Sequence, residues 1–184
     1  MLVTQLVTGF GLAGAAGLNA YIPLLVLGVL GRFEVVSLQG PFEILMHPAV
    51  LAVTSVLLAI ELAVDKVPAL DHVNDVLQTF VRPVAGAIVF AAGSGALGDV
   101  SPPVLLVCGL VTAFGVHSSK AIARPVVHAA SLGTGGPVVS AAEDVLSAAA
   151  SLLALFAPLV GLTLFAVVGL VGFRLILKWN RAKA

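Results

Sequence analysis

The sequence predicts an all-α fold, a polytopic membrane bundle of about six transmembrane helices. Three observations predict it. Of the 184 residues, 60% are hydrophobic and 10% are charged, and mean hydropathy is +1.15. A soluble domain runs at about 45–50% apolar and about 25% charged. Apolar runs near the roughly 20 residues that a membrane helix needs recur with only short polar connections between them. Basic residues also gather in alternate connections, the pattern of the positive-inside rule. These features exclude an ordinary soluble enzyme, a disordered chain and a nucleic-acid binder. They leave room for a single membrane domain over residues 1–184.

Span one covers Leu2–Leu30 and begins without the basic segment of a signal peptide. At about 1.5 Å per residue it is longer than the bilayer core is thick. Gly9, Gly11, Gly14, Gly17, Asn19 and Pro23 punctuate it, which predicts a broken or kinked helix. The stretch Gly31–Pro48 carries Arg32, Glu34, Glu43 and His47, and its FEILMHP portion is too short to span and suits an interface. Span two is Ala49–Val64. Pro68, in the polar connection DKVPALDHVND, prevents one continuous helix. Span three is His72–Leu97, with Arg82-Pro83 well inside it. Span four, Val104–Ser131, contains His117, Lys120, Arg124 and Pro125 and is also expected to be interrupted. Span five is Val138–Ala157, and span six is Leu159–Trp179. Cys108 is the one cysteine and has no disulfide partner within the chain.

Arg174, Lys178, Arg181 and Lys183 place the C-terminus in the cytoplasm of an inner (plasma) membrane protein. Six spans put the N-terminus there too. Inner connections then carry Lys66, Lys120 and Arg124, and outer ones only Arg32. An internal echo sets LVTGFGL (Leu6–Leu12) against LVTAFGV (Leu110–Val116), with Pro23 and Pro125 following at similar distances. It suggests repeat halves 1–98 and 104–184 in which spans one and four cross in opposite directions, an inverted repeat of the transporter kind. A shorter match, DVL at Asp75–Leu77 and Asp144–Leu146, does not fit that scheme.

The candidate site is a set of ionisable residues in an otherwise oily chain: Glu61, Asp65, His72, Asp75 and Arg82, with Lys120, Arg124, His128, Glu143 and Asp144 expected at the same inner level and His117 within span four. A lone charge at a helix centre in hydrocarbon costs about 2.5–3.5 kcal/mol. Such groups pair, snorkel or line a wet cavity. Arg82 is expected to pair with Asp75 or Glu143. His117 reads as a packed histidine or a proton carrier, and Asn19 as a helix-break cap or a substrate contact. The oxygen and imidazole donors suit a hard or borderline cation. There is no HExxH, P-loop, GxSxG or CxxC motif, so no enzyme and no cofactor are expected.

The runs GLNAYIPLLVLGVLGRF (Gly17–Phe33) and ELAVDKVPALDHVNDVLQTFVRPVAGAIVFAA (Glu61–Ala92), with HSSKAIARP (His117–Pro125), resemble the bacterial membrane family catalogued as domain of unknown function 4126. That resemblance implies a polytopic membrane protein and supplies no catalytic residues. The residues themselves point to a small transporter or channel for an ion or small polar solute, with proton linkage among the readings. A lipid or lipid-phosphate carrier using Arg82, Lys120 and Arg124 is the first alternative, and a non-transporting scaffold the second. Expected partners are membrane lipid, the ion or solute, and further copies of the chain, with no nucleic acid. Glycines 161, 169 and 172 would permit close packing between copies.

Overall fold

The computed structural model describes residues 2–65, 68–95, 100–130 and 136–158, with 160, 163, 167, 169–171 and 174 beyond them. Side chains at 68–73, 75 and 123–130 fall outside that description. The described residues are helical and include no strand. Six α-helices follow in order: α1 Leu2–Leu18, α2 Tyr21–Arg32, α3 Pro48–Val64, α4 Pro68–Gly93, α5 Pro102–Ala130 and α6 Gly136–Phe156, with a 3-10 helix at Gly40–Met46 before α3. Among the described residues three helices contain stretches long and apolar enough to cross a membrane: Val76–Gly93, Pro102–Ile122 and Gly136–Phe156. A fourth arises if the 3-10 helix and α3, bent by 65°, count as one.

Contacts between the helices fix the relative directions of α1, α2, α4, α5 and α6. Thr8 lies against Gly93 and Gly9 against the Phe90 ring, while Arg82 reaches the Gly17 carbonyl, so α1 and α4 are antiparallel. Gly109 meets Gly86 and Phe90, and Arg82 meets His117, so α5 runs back along α4. Thr8 bonds the Ala154 carbonyl and Ser147 the Ala15 carbonyl, which sets α6 antiparallel to α1. After α2, Phe42 of the 3-10 helix packs against the cluster of Ala13, Phe90, Ala91 and Leu105. That contact lies well back along α1, so α2 returns beside it and the two form a hairpin.

These directions correct three expectations. The break in span one falls where expected, but it is a reversal and not a kink. Twenty-nine residues of helix would reach about 44 Å, too far for one crossing of a core about 30 Å thick. Span four is not interrupted, because α5 passes through position 125 as one helix. A proline removes one hydrogen bond and bends a helix, but neighbouring turns can carry it. Finally, α1 and α5 point the same way, so the inverted relation of spans one and four does not hold. Both copies of the echo sit where small residues allow close packing, Gly9 on Phe90 and Ala113 on Gly86, which is reason enough for the likeness.

The surface is apolar and part of the interior is polar. On α6 the buried residues are Ser140, Glu143, Ser147, Ser151 and Ala154. Val138, Val145, Leu146, Leu152 and Phe156 face outward. Along α3, Val53, Val56, Leu57 and Ile60 are exposed while Glu61 is buried. This reverses the amphipathic stripe of a helix on a water-soluble protein. At one end of the bundle Leu12, Ala13, Val89, Phe90, Leu105 and Ala113 form a dry core. The other end holds the polar residues.

Candidate functional site

The tip of the α1–α2 hairpin, Leu18 to Tyr21, is the organising element. Asn19 and Ala20 are fully buried. A helix end leaves carbonyls and amides without intrahelical partners, and burial denies them water. Here side chains supply the partners. Asn19 Oδ1 accepts from the amides of Tyr21 at 3.0 Å and Ile22 at 3.2 Å, capping α2. Ser147 Oγ donates to the Ala15 carbonyl at 2.9 Å. Arg82 Nη1 lies 3.4 Å from the Gly17 carbonyl and Lys120 Nζ 3.4 Å from that of Leu18. Two cations thus sit at the negative end of the α1 dipole.

Around the tip the other helices add their acids. Glu61, the last buried residue of α3, accepts from Arg82 Nη2 at 3.0 Å. Lys120 pairs with Glu143. Asn19 Nδ2 donates to Asp144 Oδ1 at 2.8 Å. Asp65 accepts from Asn74 and Ser140, both at 2.7 Å. Arg82 Nη1 also lies 3.4 Å from His117 Nδ1. A guanidinium has only protons to give, so Nδ1 is the accepting atom in this contact. His117 Nε2 lies 3.0 Å from Thr79 Oγ1. All six helices contribute. Among the described side chains the centre holds four carboxylates, Glu61, Asp65, Glu143 and Asp144, against two permanent cations, Arg82 and Lys120. No three described His, Cys, Asp or Glu side chains come together closely enough to hold a metal ion.

A family model described as a domain of unknown function, DUF4126, matches residues 6–178. The chain belongs to this family. The resemblance read from the sequence is therefore borne out, and the DUF4126 match takes in the hairpin and every residue of the polar centre. No curated protein and no solved structure matches the chain.

Within this DUF4126 chain the structure gathers Asn19, Glu61, Asp65, Arg82, His117, Lys120, Glu143 and Asp144 into one network. The side chains of His72, Asp75, Arg124 and His128 lie outside the described residues. Arg82 pairs with Glu61, and not with Glu143, one of the two partners expected, because α3 ends beside α4 while Glu143 is taken by Lys120; the side chain of the other, Asp75, lies outside the described residues. Sequence reasoning missed Asn74, Gln78, Thr79, Ser140 and Ser147. Their signal was spacing: 74, 78 and 82 share one face of α4, and 140, 143, 147 and 151 one face of α6. Small polar residues on one face of an apolar helix bond to neighbouring helices.

Proposed function

We propose that the protein is an integral membrane transporter or channel for an ion or small polar solute, built around the tip of the α1–α2 hairpin. The observation that carries this reading is the buried, charge-bearing helix break inside a bundle whose outer surface is apolar. Irregular backbone at membrane depth is tolerated where protein buries it or where it lines a cavity, and interrupted helices hold substrate and coupling-ion sites in transporters. Among the described side chains the carboxylates outnumber the cations, which favours protons or cations over anions. The lipid-phosphate alternative asks Arg82 and Lys120 to hold a phosphate, yet both are engaged by carboxylates and α1 carbonyls.

The proposed orientation keeps the basic tail, and with it the polar end, on the cytoplasmic side. Thr8 meets Ala154, so the start of α1 and the end of α6 share the opposite end of the bundle. If the apolar run 159–179 crosses once more, the N-terminus lies across the membrane from the tail, in place of the shared side that six crossings imply. Reporter tags on the two termini check this: opposite compartments are expected, and a shared compartment would reject the topology.

Flux tests the function. Purified protein in liposomes should pass protons, a monovalent cation or a small uncharged solute faster than protein-free liposomes. Asp144→Asn and Asp65→Asn should slow that flux at least about tenfold, a barrier change of about 1.4 kcal/mol. Flux no greater than that of empty liposomes under every gradient leaves the scaffold reading in its place.

A further inference from the structure

We infer that the polar centre binds a neutral hydroxyl ligand, water or the adjacent hydroxyls of a small polyol, between Glu61, Gln78 and Arg82. As a substrate site it rests on the transporter reading; as a binding site it stands on these atoms alone. A guanidinium and a carboxylate can close two parallel bonds. Here one prong is closed, Nη2 on Oε1 at 3.0 Å. Among the described residues, Arg82 Nε and Glu61 Oε2 on the other prong have no hydrogen-bond partner, and neither does Gln78 Oε1. Gln78 and Arg82 are one turn apart on the same face of α4. The three side chains are 1%, 3% and 1% exposed for Glu61, Gln78 and Arg82. Tyr21, first residue of α2, hydrogen-bonds the Gln78 side chain and stands beside Glu61, so the hairpin tip closes the group and Oε1 is the part of the Gln78 amide left over.

The chemistry of the three atoms selects the ligand. Two accept and one donates. An anion would meet two acceptors, and a metal cation would face the guanidinium. A lone proton satisfies acceptors and leaves Nε bare. Water offers two O–H donors and lone pairs for one N–H, and a pair of neighbouring hydroxyls offers the same. Buried polar groups left over by the protein are the usual hosts of such a molecule.

The test uses the sign of a stability change. Gln78→Met keeps the shape and removes Oε1, together with the bond to Tyr21 that Tyr21→Phe also breaks. If a ligand pairs that oxygen, Gln78→Met in detergent melts lower than Tyr21→Phe, by about 2–4 °C for each kcal/mol lost. If the oxygen is bare, its removal relieves an unpaired group, and melting at or above the temperature of Tyr21→Phe overturns the inference. Glycerol is the probe for source: a larger rise in Tm for the unaltered chain than for Gln78→Met assigns a polyol, and an equal rise assigns water. Should the variant fail to fold, a high-resolution map of the unaltered chain decides. Density within hydrogen-bonding distance of all three atoms is expected, and an Arg82 Nε–Glu61 Oε2 bond closed directly would contradict it. Absent flux together with a lower-melting Gln78→Met would sink the transporter reading and leave the binding site standing.

Discussion

The two ends of the bundle are held together by different physics. At the apolar end, helices approach until backbones nearly touch: a Cβ on Gly109 would lie 2.3 Å from the Gly86 carbonyl oxygen. Phe90 is fully buried there and meets Phe10 edge-on at 4.9 Å. At the polar end the helices are linked by Arg82, Lys120, Asn19, Asp65 and Ser147. The first end depends chiefly on shape, with one side-chain bond, Thr8 to the Ala154 carbonyl, beside it. The second depends on every member having its partner, because a half-satisfied polar group in a low-dielectric interior is costly. The contrast explains why the irregular turn at Asn19–Ala20 sits at the polar end: Arg82, Lys120 and Ser147 stand there to meet the carbonyls it exposes.

Substitutions at the two ends should therefore fail in different ways. The largest effect is expected from Arg82→Met, which strands Glu61 and the Gly17 carbonyl. Breaking a buried pair from one side costs about 3–5 kcal/mol. Adding Glu61→Gln should recover part of that loss, and thermal melts in detergent of the single and double variants measure the coupling. If the double variant loses the sum of the two single losses, the pair does not act as a unit. At the apolar end, Gly109→Ala should cost about 1–3 kcal/mol through overpacking, since the atom in the way is backbone and cannot swing aside. Gly115→Ala on the same helix should do the reverse. Among the described residues it has no neighbour within 4 Å, so it gains the roughly 0.5–1 kcal/mol by which alanine exceeds glycine in a helix. Asn19→Ala removes a cap worth about 1 kcal/mol and the Asp144 bond, and Asn19→Ser should restore part of the cap alone.

The sequence made the apolar end easy to read and the polar end only partly so. Hydropathy located α3, α5 and α6 to within two residues at each end, because a membrane helix is defined by the composition of a long window. Most of the polar centre was also legible, since a charge in an oily helix has few places to go. Direction was not legible. The excess length of Leu2–Leu30 was a valid warning, but glycine, asparagine and proline signal a break without saying whether the chain kinks or returns. Pairing was misjudged for a related reason. Arg82 finds Glu61 because α3 ends beside α4, and that juxtaposition follows from the hairpin that precedes it.

The hairpin is thus the claim on which the site, the topology and the transport reading all depend. Spin labels on the exposed residues Val3 and Phe33 would measure it directly in the reconstituted protein. With α2 folded back, both labels lie toward one end of the bundle, on helices whose packed axes are roughly 10 Å apart. Their separation should then be below about half the ~45 Å that thirty residues of continuous helix would impose. A separation near that full length would mean that α1 and α2 cross as one span, and the polar centre would have to be rebuilt.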